Sequence, residues 1–136
     1  MADPSNRRTV AEINALSRKI LGAAVRVHRE LGPGLLESAY EACLVYELID
    51  AGHKVERQKP LPLKYRGVQL DCGYRLDLLV EDVIVVEIKA VTDFEPVHTA
   101  QMISYLRLSG CTLGLLLNFN KEYMRDGMKR IVLGLE

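Results

Sequence analysis

The stretch Tyr74-Arg-Leu-Asp77-Leu-Leu-Val80-Glu-Asp-Val83-Ile-Val-Val-Glu87-Ile-Lys89-Ala90 decides how this chain folds. Two runs rich in Leu, Val and Ile, Tyr74–Val80 and Val83–Ala90, flank the polar pair Glu81-Asp82, which is the pattern of an antiparallel hairpin. Asp77, Glu87 and Lys89 interrupt the apolar runs. Side chains alternate faces along a strand, so Glu87 and Lys89 point the same way. Placing Leu76, Leu78 and Val80 opposite Ile88, Val86 and Ile84 sets Asp77 against Glu87 and brings both carboxylates and the lysine to one face. That register requires a three-residue loop, Glu81-Asp82-Val83, whereas a two-residue turn would send Asp77 to the other face. The hydrophobic match favours the shared face.

Charges inside apolar strands need partners, because burying an ion unpaired is costly even after the protein relaxes. One solution is a structural ion pair between Lys89 and Glu87 or Asp77 on a half-wet sheet face. The other is a divalent cation, Mg²⁺ or Mn²⁺, which prefers hard oxygen ligands and keeps several waters. Such an ion polarises a phosphoryl oxygen and activates water, and a neighbouring ammonium can orient that water or offset charge developing on the phosphate. Spacing alone leaves both solutions open.

Outward from the hairpin, Ile13, Leu16, Ile20, Ala24, Val27 and Leu31 recur at helical spacing and predict a helix from about Glu12 to Leu31. Gly32-Pro33-Gly34 stops it. A second helix is predicted from Leu35 to Ala51, with Leu36, Ala39, Tyr40, Cys43, Leu44 and Leu48 on its buried side. Short extended runs follow at His53–Gln58, Leu61–Tyr65 and Val68–Leu70, with Pro60 and Pro62 marking edge positions or a break between the first two. Pro96–Leu108 reads as a helix apolar nearly all round, and so as a buried one. Thr112–Asn118 and Lys129–Leu133 read as further strands. The order predicts an α/β fold with a mixed central sheet, an αβββαβ core and an extra N-terminal helix.

At 136 residues the chain has the length of one domain. A flexible tail, 1–11, and a single domain, 12–136, are expected. Lys and Arg together number 18, as do Asp and Glu, and neither side of Pro60 is strongly basic. Bulk charge therefore excludes a protein that coats nucleic acid, but leaves room for a local basic groove. Cys43, Cys72 and Cys111 are odd in number and form no C-x-x-C pair, which argues against a disulfide framework or a thiolate zinc site. Without a secretory h-region or an apolar run of membrane-spanning length, the expected location is the cytoplasm.

Three further patterns carry chemistry. Gly34-x-x-Glu37-x-x-Tyr40 opens the second helix, Asp77 is followed after nine residues by Glu87-Ile88-Lys89, and Gln101-x-x-x-Tyr105 lies on the later helix. Glu37, Tyr40 and Glu41 share a helix face, and Glu37 in the first turn also suits the helix dipole without further function. Gln101 and Tyr105 are i, i+4 neighbours that a core could simply satisfy. His28 and His98 lack acidic or histidine neighbours at ligand spacing. Arg75 shares the face of Asp77, and Lys64, Arg66, Lys129 and Arg130 are further candidate phosphate contacts. Aromatics are scarce and Trp is absent, so an extended base-stacking platform is not expected.

Taken together, the three patterns resemble the PD-(D/E)XK nuclease superfamily, specifically the small bacterial and archaeal group of GxxExxY proteins. The last pattern is similar to the Q-x-x-x-Y motif of RecB-like nucleases. The resemblance spans roughly residues 16–133, and Leu76 stands where the superfamily's motif has Pro. It implies a restriction-endonuclease-like fold and a metal-dependent nuclease that hydrolyses phosphodiester bonds of nucleic acid, DNA rather than RNA. By the same resemblance, Asp77, Glu87 and the main-chain carbonyl of Ile88 would hold Mg²⁺ or Mn²⁺, and Glu37 would complete or tune that site. Lys89 would position the attacking water. Gln101 and Tyr105 would contact the substrate backbone or brace the site, with Tyr40 and Arg75 as further substrate contacts. The alternative is an inactive nuclease-fold module that binds nucleic acid or protein. The neutral charge implies weak intrinsic affinity, which a homodimer or a partner protein would supplement; no membrane partner is expected.

Overall fold

Among the described residues, three α-helices and seven strands follow one another in the predicted order. The computed structural model describes residues 8–135, which form α1 (Val10–Leu31), α2 (Glu37–Asp50), β1 (Val55–Pro60), β2 (Leu63–Tyr65), β3 (Val68–Leu70), β4 (Arg75–Val80), β5 (Ile84–Lys89), α3 (Pro96–Ser109), β6 (Leu113–Asn118) and β7 (Met128–Val132). Residues 1–7 of the expected tail, and Glu136, lie outside the described residues. The first helix begins two residues earlier than predicted. Thr9 accepts from the Glu12 N–H while Glu12 reaches back to Thr9, a reciprocal capping box that satisfies two otherwise orphaned donors. It ends where Gly32 takes a φ of 68°, a conformation that costs glycine little.

The sheet is five-stranded and mixed, in the order β1-β4-β5-β6-β7. Only β5 and β6 run parallel, and the connection between them carries α3. Strand alternation separates two layers of core. Leu78, Val80, Ile84, Val86, Ile88, Leu113, Leu115 and Leu117 pack with the apolar faces of α1 and α2, while Leu79, Val85, Leu116 and Ile131 pack with Met102, Tyr105 and Leu106 of α3. β2 and β3 form a separate two-stranded sheet. This is a restriction-endonuclease-like α/β architecture, with α1 as the extra N-terminal helix. No helix among the described residues is long and apolar enough to cross a membrane.

Two expectations are corrected. α3 is half-buried rather than enclosed: Met102, Tyr105 and Leu106 face the sheet, while Val97, Ala100, Ser104 and Arg107 are exposed. Small and apolar residues on its outer face imitate a buried helix in sequence. On α2 the inward face is Tyr40, Glu41, Leu44, Val45 and Leu48, whereas Leu36 precedes the helix and is 77% exposed. The stripe is rotated because a carboxylate, Glu41, occupies one of its inward positions.

The central hairpin has the register that the hydrophobic match favours: Leu78, Leu79 and Val80 lie opposite Val86, Val85 and Ile84. Its loop has three residues, with Glu81 and Asp82 at positive φ and the Val83 N–H returning to the Val80 carbonyl. The ladder does not continue to Leu76 and Ile88. It stops at Leu78–Val86, and that gap creates the site.

Candidate active site

Where the β4–β5 ladder ends, side chains take over the backbone partners. The Asp77 N–H donates to Glu87 Oε2 (2.8 Å), and the Ile88 N–H donates to Asp77 Oδ2 (2.8 Å). Each carboxylate therefore sits between the strands and spends one oxygen on a backbone donor. The β1–β4 ladder is interrupted at the same level: Arg57–Leu78 and Lys59–Leu76 are paired, but Gln58 and Asp77 are not, and Gln58 has a φ of 47°. Leu76 consequently packs in the layer under α3 while Leu78 packs under α1 and α2. A run that should alternate regularly is twisted at Asp77, which aims the carboxylate out of the sheet.

The opening is a cavity of about 600 Å³ beside the start of α2, lined among others by Glu37, Glu41, Gln58, Asp77 and Ile88. Glu87 is only 3% exposed and lies behind Asp77. Burial foremost, and then the neighbouring Asp77 charge, push the Glu87 carboxyl up to about 8. Burial also raises Asp77, opposed by the hydrogen bonds from Ile88 and Gln58 and reinforced by the nearby Glu41 charge. Metal-free, both carboxylates are raised, and Glu87 holds its proton well above the ordinary carboxylate range.

Lys89 makes no ion pair with Asp77 or Glu87. Its Nζ lies 3.4 Å from Gln101 Oε1, and Gln101 Nε2 donates to the Tyr105 hydroxyl (3.0 Å). The Q-x-x-x-Y pattern thus links α3 to Lys89. Burial and then the charges of Glu87 and Asp77 raise the Tyr105 hydroxyl, so it stands within the field of the two acids. Glu37 Oε2 accepts from the Ala90 N–H (3.1 Å), fastening the end of β5 to the start of α2. Arg75 is exposed and reaches only the Gln58 carbonyl, at 3.4 Å.

Tyr40 is placed elsewhere. It is wholly buried, stacks on Phe119 at 4.6 Å, donates to the Gly32 carbonyl and accepts from the Leu35 N–H. Both functions of its hydroxyl are spent on holding the loop between α1 and α2, so it does not face the cavity. His28 is likewise engaged, with Nε2 2.7 Å from the Lys121 carbonyl oxygen, and His98 Nδ1 accepts from the Glu95 N–H.

Two residues at the site have no role in the sequence reading. Glu41 is 7% exposed; its carboxylate accepts from Arg57 Nη2 (3.0 Å) and Gln58 Nε2 (2.7 Å). The same Gln58 amide lies 3.3 Å from Asp77 Oδ1 and so bridges the two acids. The i, i+4 spacing from Glu37 was a signal for Glu41; no pattern marks Gln58 in a polar edge strand.

Among the described residues, no three acidic, histidine or cysteine side chains are gathered closely enough to cage a metal ion as they stand. The donor set nevertheless fits Mg²⁺ or Mn²⁺. Such ions are commonly held through one or two carboxylates with water completing the shell. The two interleaved carboxylates present hard oxygens, and a cation would offset both the burial and the neighbouring carboxylate charge that raise their proton affinities.

A family model described as the PD-(D/E)XK nuclease superfamily matches residues 14–131. No curated protein and no solved structure matches significantly.

Proposed function

The chain belongs to the PD-(D/E)XK nuclease superfamily, and on that premise we propose that it is a Mg²⁺- or Mn²⁺-dependent nuclease that hydrolyses phosphodiester bonds, with DNA as the expected substrate. The observation that carries this reading is the splayed end of β4 and β5. There Asp77 and Glu87 each spend one oxygen on the opposite strand's N–H, beside a lysine that neutralises neither. A structural ion pair, the competing use of these residues, is not formed.

In this reading Asp77 and Glu87 hold the cation, with the Ile88 carbonyl and Glu37 as the remaining protein groups at the metal. The cation supplies Lewis-acid stabilisation of charge on the phosphoryl oxygens. Lys89 positions the water that attacks phosphorus, and Gln101 restrains the flexible lysine stem through its contact with Nζ. Tyr105 braces Gln101 in turn. Arg75, exposed at the start of β4, contacts substrate phosphate. The match of Gly34, Glu37 and Tyr40 to the GxxExxY pattern supports placing the chain in that group, with Tyr40 shaping the loop and not touching substrate.

The test is cleavage of labelled single- and double-stranded DNA and RNA with Mg²⁺ or Mn²⁺, compared for wild type and Lys89→Ala. Cleavage that falls by at least about 100-fold in the variant, the scale of losing a positioned proton-handling group, is the expected result. Equal cleavage by the two proteins would remove Lys89 from its role. Binding without cleavage by wild type would favour a module that has lost its chemistry.

A further inference from the structure

We propose that the β2–β3 hairpin is a gripping arm for an unpaired nucleic-acid strand, holding the nucleotides next to the phosphate at the Asp77–Glu87 site. The proposal rests on the nuclease reading above and deepens it.

The arm grows from the site. The Leu61 N–H donates to the Tyr74 carbonyl (2.9 Å), extending the β1–β4 pairing past Pro60 and Arg75, and buried Leu61 anchors the root in the layer under α3. Tyr74 also meets Tyr105 edge-on, with ring centroids 6.3 Å apart. The root is thereby joined through Tyr105 and Gln101 to Lys89. Beyond the root, every residue from Lys64 to Arg75 is exposed.

A two-stranded hairpin in water is marginal unless something packs on it, and this one leaves Tyr65, Val68 and Leu70 of its apolar face exposed, with Leu63 half-buried. Leu63 pairs with Leu70 and Tyr65 with Val68, so these four share one face, while Lys64 and Gln69 share the other. Tyr65 is 60% and Val68 56% exposed. Arg66 stands at the tip with a φ of 52°, beside Gly67.

Charge identifies the occupant. The exposed segment from Lys64 to Arg75 contains Lys64, Arg66 and Arg75 against the single acid Asp71, in a chain whose formal net charge is zero. Asp71 is turned toward its own backbone, accepting from the Gly73 N–H, and among the described residues none of the three cations forms an ion pair. A polyanion that also offers flat apolar surfaces satisfies both faces of the arm: phosphates meet Lys64 and Arg66, and an exposed base stacks on Tyr65. Paired bases do not offer that surface, which selects an unpaired strand.

The test is fluorescence anisotropy with labelled single-stranded and duplex oligonucleotides in EDTA, so that binding is read without cleavage. Wild type is compared with Lys64→Glu/Arg66→Glu, Tyr65→Ala and Tyr65→Phe, all checked by circular dichroism melts. The double variant is expected to bind single strands at least about tenfold more weakly, with a log–log salt dependence shallower by about 1.4, the value for two lost phosphate contacts. Tyr65→Ala should weaken single-strand binding by at least about fivefold, the low end for one lost stacking contact, and Tyr65→Phe should retain it. Single-strand affinity unchanged in the folded variants, with wild type still binding, overturns the arm and leaves the nuclease reading standing. A loss confined to duplex overturns the choice of an unpaired strand. No binding of any oligonucleotide by wild type overturns the arm and leaves the nuclease reading to the cleavage test with Mg²⁺ or Mn²⁺.

Discussion

Glu87 holds the least ordinary proton in the molecule. Its carboxyl is pushed from 4.5 to about 8, chiefly by burial and then by Asp77, so between those values the native protein retains a proton that the unfolded chain releases. Stability contributed by that proton is fully present below about pH 4.5 and is lost as pH rises to about 8. Metal-free protein should therefore become easier to unfold in urea between pH 5 and pH 8. Glu87→Gln keeps the shape and an oxygen for the Asp77 N–H but cannot ionise. It should be more stable than wild type at pH 8, by a few kcal/mol as an order of magnitude, and should lose most of the slope. An unchanged slope in the variant would show that Glu87 does not titrate in this range. The convergence of Asp77 and Glu87 was legible because apolar residues on both strands pin the register. The roles of Glu41 and Gln58 were not, since each depends on a twist in β1 and β4 at Gln58 and Asp77 that alternation rules do not foresee.

At the scale of elements, helix α3 is held against β6 through one residue without a side chain. A Cβ at Gly114 would lie 2.3 Å from Met102 Sδ and within 2.9 Å of its Cγ and Cε, and Met102 is fully buried. Gly114→Ala should cost about 1–3 kcal/mol in urea unfolding, as overpacking of a dense core does. Shortening Met102 to Ala in the same protein should recover part of that cost, giving a double variant more stable than the sum of the singles. Strict additivity would mean that the two residues do not share this contact. The existence and order of the elements were readable because helix and strand periods differ and Gly or Pro marks most boundaries. The exposure of α3 was not, because Val97 and Ala100 on its outer face look like core. The inward turn of Glu41 on α2 was equally hidden, since the Arg57 and Gln58 that satisfy it lie on β1, a different element, and helix spacing does not foresee them.

For the whole molecule, neutral net charge means that only local geometry and local charge draw a polyanion or a cation to this surface. The central sheet supplies that geometry: two strands pair firmly at one end and separate at the other, where two carboxylates fill the gap. The family match over residues 14–131 gives this arrangement its nuclease context, and the account stands on those carboxylates being a cation site. The most direct measurement is calorimetric titration of Mn²⁺ into metal-free wild type and Asp77→Ala at pH 6 and pH 8. Wild type should bind, and more tightly at pH 8, where protons compete less for Asp77 and Glu87; the variant should show no corresponding heat. Equal binding by wild type and variant, or none by wild type at either pH, would contradict the account.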